Sequence, residues 1–520
     1  MNKLSTSVLF ICIYVICPQV GAKSSKPASD VTYWRSQGYG YFIKKTPAKL
    51  TFYDVTQSHC LLNREESGDY DPANLISLTQ GAELHWETLH PVKLKPLNRL
   101  PANCLNAANI MNAVSNFDVF WHTFAEHYAF SQTKQWNWEA QYSQWRNRLN
   151  KNSSSEELLS VLHDLITALQ DGHAYIVNID GETLAMYEHK WNTFRRERID
   201  IPYKTHIASA TPPKIKSPQS FYHFLTQLHQ KVIEQHFIDD SKKMHDAFLS
   251  ASLPDNVQYL SIDHLSEFSD GNTLEDDMRV VDEVMTALLP QLRKSNGLII
   301  DLRWNSGGKD QLGLRLLSHF INEPLVIGSK RTKIHSGFLP ENKIKVSPQH
   351  PKPYLGPIVV LTSPLTVSAA EVLVLGLKAR DKVKLFGEPS NGSFSDTLVK
   401  QLPNGWIFTL SNEQYLDMDG VHFESTGIPV DETFKYLNWD ELLAGKDPAL
   451  LAAQRYLSKG KTSETLGHRP RKISAEISGH PPQATLLQRQ RYQRAASTGL
   501  ALHSAAPNIK NNCEQNQLSL

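Results

Sequence analysis

"PIVVLTSPLTVSAAEVLVLG", Pro357–Gly376, reads as a strand, a loop and a helix in immediate succession. Ile358–Thr362 is an aliphatic, β-branched run of strand length, continuous in apolar residues as strands buried on both faces are. Ser363-Pro364 interrupts it. Ser368-Ala369-Ala370-Glu371 then spells Ser-x-x-Glu ahead of an apolar run, which is a helix capping box. A strand–turn–helix elbow also exposes a serine at the C-terminal edge of a sheet, where open α/β sheets bind ligands. Ser368 therefore has two readings, cap and nucleophile. Its local sequence alone favours the cap.

The same alternation extends in both directions. "NVQYLSID" (Asn256–Asp263) is a strand, 272–294 a helix, "GLIIDLRW" (Gly297–Trp304) a buried strand and 309–321 a helix. "VKLFGE" (Val383–Glu388) and "GWIFTLSNEQYL" (Gly405–Leu416) are further strands. Residues 256–435 thus form an α/β layered domain. Upstream, 31–104 is a small β-rich domain, with strand-length alternation in "VTYWRSQGYGYFIKK" and "KLTFYDVTQSHCLL". Residues 105–175 are a helical subdomain. "NAVSNFDVFWHTFAEHYAF" puts Val114, Phe117, Val119, Phe120, Phe124 and Tyr128 near one face, and "SSSEELLSVLHDLITALQ" opens on capping serines with glutamates in its first turn. Residues 176–255 are an ambiguous, partly helical connection, and 436–459 a C-terminal helix. The basic, aperiodic stretch 460–520 is expected to be a disordered tail.

A chain of 520 residues, 40% hydrophobic and 21% charged, has room for two or three domains with cores of their own. A net charge of +1 gives no support for a nucleic-acid or membrane-surface partner. Residues 1–22 read as a secretory signal peptide: Lys3 near the start, apolar Val8–Ile16, and small residues at Val20-Gly21-Ala22. The expected location is therefore periplasmic or secreted. Cys17, between Val15-Ile16 and Pro18, fits a lipidation site poorly. No later run reaches about 18 apolar residues, so no integral membrane segment is expected in the mature chain. Behind the leader remain Cys60, Cys104 and Cys513. In an oxidising compartment Cys60 and Cys104 are expected to pair, with two free thiols as the alternative. Without CxxC or HExxH, no metal and no cofactor are expected.

Two more boundaries between elements could carry chemistry. "DLRWNSGGKD" (Asp301–Asp310) ends a strand on Gly307-Gly308, which would let backbone N–H groups approach a ligand. "LQDGHAYI" (Leu169–Ile176) presents His173 where the helical region enters a strand; a lone histidine there is most often structural. In order, "DGH", "GLIIDLRWNSGG", "TVSAAE", "GEP" at Gly387 and "FESTGIPVDE" (Phe423–Glu432), with "NFDVFWHTFAEHYAF" upstream, resemble the C-terminal processing peptidase family, and within it the tricorn-core-like branch. The resemblance covers about 107–435.

The resemblance implies a crotonase-like (ClpP/crotonase) α/β core and hydrolysis of peptide bonds by a serine. Ser368 matches the nucleophile, a role compatible with capping, while Glu371 would support the helix turn. The processing branch takes its base from a lysine in a turn after "GEP". Here "GEPSNGSFS" (Gly387–Ser395) has Ser393 at that place, and Lys378 lies roughly 15 Å along the helix from Ser368. The tricorn-like branch uses a histidine, matched by His173, and an acid, matched by Glu424. That branch often has a serine before the histidine; this chain has Gly172. The oxyanion hole would be the N–H groups of Gly308 and Ala369, with Gly307 the alternative glycine. The expectation is an exported, metal-independent serine peptidase acting on peptides or unfolded protein. One alternative is a non-catalytic peptide- or lipid-binding member of the same fold. A crotonase-like acyl transferase is disfavoured by the leader, because coenzyme A is cytoplasmic.

Overall fold

A computed structural model describes residues 31–459, except 65–66, 68–70, 87, 106–110, 188, 208–214, 216 and 272. Residues 1–30, which include the expected signal peptide and Cys17, and the stretch 460–520 with Cys513 lie outside the described residues.

The strands Val257–Ile262, Gly297–Asp301, Ile358–Thr362, Val383–Gly387 and Glu432–Thr433 run parallel and in that order across one sheet. Every residue of Gly297–Asp301 and Ile358–Thr362 is buried, which explains their lack of polar alternation. Leu260, Leu298, Ile300, Ile358 and Val360 face helices Leu274–Leu292, Asp310–Leu317 and Ala369–Lys378. Tyr259, Ile299, Val359 and Leu361 face the opposite way, onto Leu450, Ala453 and Leu457 of helix Pro448–Ser458. The result is a three-layer α/β arrangement in which Asp301, the end of its strand, pairs with Leu361, one residue before the end of Ile358–Thr362.

This sheet begins earlier than the boundary expected at 256. The hairpin Lys242–His245/Phe248–Leu253 adds two antiparallel strands to it. Lys242 and Lys243 are exposed at the sheet margin, so the sequence there reads as polar rather than as strand. The connection 176–255 also contains helix Pro218–Glu234. The C-terminal helix is two helices, Trp439–Leu443 and Pro448–Ser458. Gly445 (φ +67°) ends the first and Pro448 sits in the first turn of the second.

Residues Thr32–Leu97 supply a seven-stranded antiparallel sheet. It shares one hydrophobic cluster with the helical region: Tyr41 and Phe52 of the sheet join Phe117, Phe120 and Phe124 of helix Ala113–His127 and Phe408 of strand Ile407–Ser411. A disulfide links Cys60 and Cys104, with Cα atoms 4.9 Å apart. Helix Ser155–Leu169 opens on a complete capping box, Ser154 with Glu157. It delivers the chain through Asp171-Gly172-His173 into strand Tyr175–Val177, which pairs with Ile407–Ser411. Among the described residues no helix is long and apolar enough to cross a membrane.

Candidate active site

Ser368 stands at the turn between strand Ile358–Thr362 and helix Ala369–Lys378 with φ 57° and ψ −126°. That conformation is costly for a residue with a Cβ and persists only where its surroundings over-determine it. Here they do. The Ser368 N–H donates to the Ser393 carbonyl (3.1 Å) and to Glu371 Oε2 (3.2 Å), while its own carbonyl accepts from Glu371 N–H (2.7 Å) and Val372 N–H (3.2 Å). Val367 and Ala369 are buried, and Ser368 between them is half-exposed.

The glycine turn packs against this elbow. A Cβ on Gly307 would lie 2.7 Å from Ser368 Cβ, and one on Gly308 (φ +142°) would collide with the Leu265 carbonyl oxygen. Asn305 fixes the turn: its Oδ1 accepts the Gly307 N–H (2.9 Å) and its Nδ2 donates to Ile262 O (2.9 Å). Gly307 thus has its donor engaged. Among the described residues the N–H groups of Gly308 and Ala369 meet no protein acceptor, and Gly308 is exposed. Of the two glycines, Gly308 is the one with a donor to offer.

The segment Ser390–Ser395 holds the remaining candidates around Ser368. Glu371, fully buried, accepts the N–H groups of Gly392 (2.6 Å) and Ser393 (2.8 Å) besides that of Ser368. Its role here is to brace the turn. Phe394 N–H donates to Glu424 Oε2 (2.9 Å). Ser393 Oγ donates to Asn391 Oδ1 (2.8 Å) and lies 3.0 Å from where a Gly172 Cβ would be. Position 172 thus has little room for a side chain while Ser393 is in place. His173 is buried beside this segment. Its N–H donates to Asp171 Oδ1 (2.8 Å), its carbonyl accepts from Thr409 Oγ1 (2.6 Å), and its ring Nδ1 has no partner among the described residues. Among those residues no hydrogen bond joins His173 to Ser368 or to Glu424.

Burial lowers the His173 pKa; the Asp171 and Asp396 carboxylates and a contact with the Ser395 backbone oppose it in part. Burial also raises Glu424 well above the usual carboxylate range, assisted by Asp171 and Glu371 and opposed by the Phe394 N–H and Lys134. A second buried cluster adjoins the glycine turn. Lys330 pairs with Asp396 (2.7 Å) and Glu413 (2.7 Å), and Tyr415 Oη bridges Asp310 and Asp396 at 2.6 Å each. Burial and the crowding of three carboxylates on one lysine push Asp310 and Glu413 up to about 7. For Asp396 burial is outweighed by Lys330, which holds it down at about 2. Lys378 Nζ lies 4.9 Å over the Phe423 ring. Among the described residues no group of acidic, histidine or cysteine side chains is arranged to hold a metal ion.

Residues 257–434 match the model of peptidase family S41, and 114–167 match that of the tricorn protease C1 domain. The S41 match over 257–434 supports the C-terminal processing peptidase family. Among solved structures, a candidate peptidase from Parabacteroides merdae superposes on this chain with a TM-score of 0.53 at 20% identity, over 68% of this chain and 99% of that one. The two share a fold. The photosystem II D1 C-terminal processing protease matches at a TM-score of 0.37 and 13% identity, over 65% of this chain and 98% of its own. Tricorn protease matches at 0.39 and 14%, over 81% of this chain and 44% of its own.

Sequence reasoning missed the bracing role of Ser390–Ser395 and the bonds from Lys134 Nζ to Gln170 O and Ser425 Oγ. "GEPSNGSFS" was legible as a turn, but its bonds to Glu371 and Ser368 are made mostly by backbone groups, which side-chain identity does not encode. The paired serines and Asn391-Gly392 were the available signal.

Proposed function

We propose that this chain is an exported serine peptidase with a crotonase-like core, in which Ser368 is the nucleophile. The observation that carries the reading is the strained, half-exposed Ser368 set against a glycine turn whose Gly308 N–H, like that of Ala369, has its donor free. Ser368 Oγ attacks the scissile carbonyl. The N–H groups of Gly308 and Ala369 receive the negative charge that develops on its oxygen, with Ala369 at a helix N-terminus that favours that charge. His173, neutral because it is buried, takes the Ser368 proton and returns it to the leaving amine. Substrate binding brings the imidazole into reach, since such hydrogen bonds tighten in the reacting complex. Glu424 supports the network by fixing Phe394 and hence the loop beside His173. The substrates are peptides or unfolded protein, met outside the cytoplasm after removal of residues 1–22.

Ser368→Ala tests this. It should abolish cleavage of labelled casein, by at least about 10³-fold, while the protein still folds. Loss of a cap alone would cost about 1 kcal/mol of stability. A variant with full turnover that merely melts earlier would leave Ser368 a cap and return the chain to a binding role.

A further inference from the structure

The two segments that carry His173 and Glu424 are far apart in sequence and each passes through an unfavourable backbone conformation. Helix Ser155–Leu169 ends on Gln170, which has φ +53° and ψ +45°, immediately before Asp171-Gly172-His173. Ser425, immediately after Glu424, has φ +66°. A left-handed conformation is uncommon for residues other than glycine, asparagine and aspartate, so both turns need an external hold. One side chain supplies it to both. Lys134 Nζ donates to the Gln170 carbonyl (2.8 Å) and to Ser425 Oγ (3.0 Å).

We propose that Lys134 is a positioning residue that clamps the His173 and Glu424 segments to each other. An ammonium group suits the task, because it carries three donors on a flexible stem and can serve two acceptors from different chains of structure at once. The stem has a firm base. Lys134 N–H bonds the Phe130 carbonyl (2.9 Å), Ala129 N–H bonds Ser411 O (2.9 Å), and Gln414 Nε2 bonds Ala129 O (2.9 Å). The Ser411 hydroxyl in turn donates to Asp171 Oδ1 (3.0 Å), so the loop bearing Lys134 and the turn bearing His173 rest on the same strand. The charged and titratable groups around the ammonium are Asp171, Glu424 and, beyond them, Tyr128 and Glu371. Among the described residues Lys134 has no direct ion pair, and its bonds go to a backbone carbonyl and a hydroxyl. A residue placed only to neutralise a carboxylate would be expected to pair with it.

The inference rests on the reading of His173 and Glu424 as members of the reactive site. The test is the rate at which a fluorophosphonate probe labels Ser368, measured beside casein turnover in wild type, Lys134→Met, Lys134→Arg and Ser425→Ala. Lys134→Met keeps the stem and removes the donors. Its labelling rate and kcat should fall by about tenfold to a hundredfold, the scale of a small misplacement of a catalytic group, with KM little changed. Lys134→Arg, which can still donate to both acceptors, should recover most of the loss, a rescue that a purely packing role would not produce. Ser425→Ala removes one of the two bonds and should fall in between. Wild-type labelling and kcat in folded Lys134→Met would overturn the proposal. If that variant does not fold, wild-type behaviour of Ser425→Ala would do the same. A wild-type protein that cleaves casein without labelling at Ser368 would instead refute the site reading, and this inference with it.

Discussion

Ser368 occupies a conformation that serine rarely adopts, and Glu371 and Ser393 hold it there through backbone bonds. The partner proposed for it, His173, is buried with its pKa lowered. Only neutral imidazole accepts a proton, and a lowered pKa keeps it neutral below the ordinary histidine value of about 6.5. The pH profile of kcat/KM should therefore rise through a single ionisation below about 6.5 and be flat at neutrality. An acid limb well above 7 would point to an amine base instead. His173→Ala should lose most activity and Glu424→Gln less. A second residue-scale expectation concerns Gly172. Gly172→Ala should lower kcat by about tenfold because its Cβ presses on Ser393 Oγ, and Gly172→Ala/Ser393→Ala should recover part of that loss. Strict additivity of the two changes, measured as a double-mutant cycle, would show that they do not touch. At this scale the sequence singled out Ser368, His173 and Glu424 as candidates through short motifs. It could not show Lys134, whose two acceptors are 36 and 291 residues away and carry no motif of their own.

The strand Gly297–Asp301 ends where the glycine turn begins, and its end is pinned by buried charge. Arg303 pairs with Asp301 (2.6 Å) and Asp447 (2.8 Å); Tyr259 Oη also bonds Asp301 (2.8 Å), and His229 bonds Asp447 (3.0 Å). Tyr259 comes from the neighbouring strand, His229 from helix Pro218–Glu234, and Asp447 caps helix Pro448–Ser458. Removing one member of such a network leaves buried charge uncompensated. Arg303→Met should cost roughly 3–5 kcal/mol in urea denaturation. Asp447 is buried, but Arg303 and His229 hold its pKa far below the usual range. A carboxylate depressed in the folded state contributes stability above its unfolded pKa of about 3.9 and loses it as pH falls further. The wild-type advantage over Arg303→Met should accordingly be full at neutral pH and shrink below about pH 4. Strands buried on both faces, such as Ile358–Thr362, were plain in the sequence because burial demands continuous apolar residues. The hairpin Lys242–Leu253 was not, because its outer strand meets water and its pattern is polar.

At the scale of the molecule, the N-terminal sheet and the helical region share one core, so residues before 105 also support the helices that lead to His173. The Cys60–Cys104 bridge joins the sheet to the segment entering those helices across a sequence separation of 44. Cys60→Ser/Cys104→Ser should lose roughly 2–4 kcal/mol, and peptide mapping of the unreduced protein should show the crosslink. At the other end, helix Pro448–Ser458 completes the cover of the sheet. Ending the chain after Lys459 should leave kcat unchanged; a clear drop would show that the later residues serve the site. Ser368 as the reactive nucleophile is best tested by exposing the protein to a fluorophosphonate probe and mapping the adduct by mass spectrometry. A single adduct on Ser368 is expected, formed much more slowly in His173→Ala. An adduct on another serine, in a protein whose Ser368→Ala variant still hydrolyses casein, would contradict it.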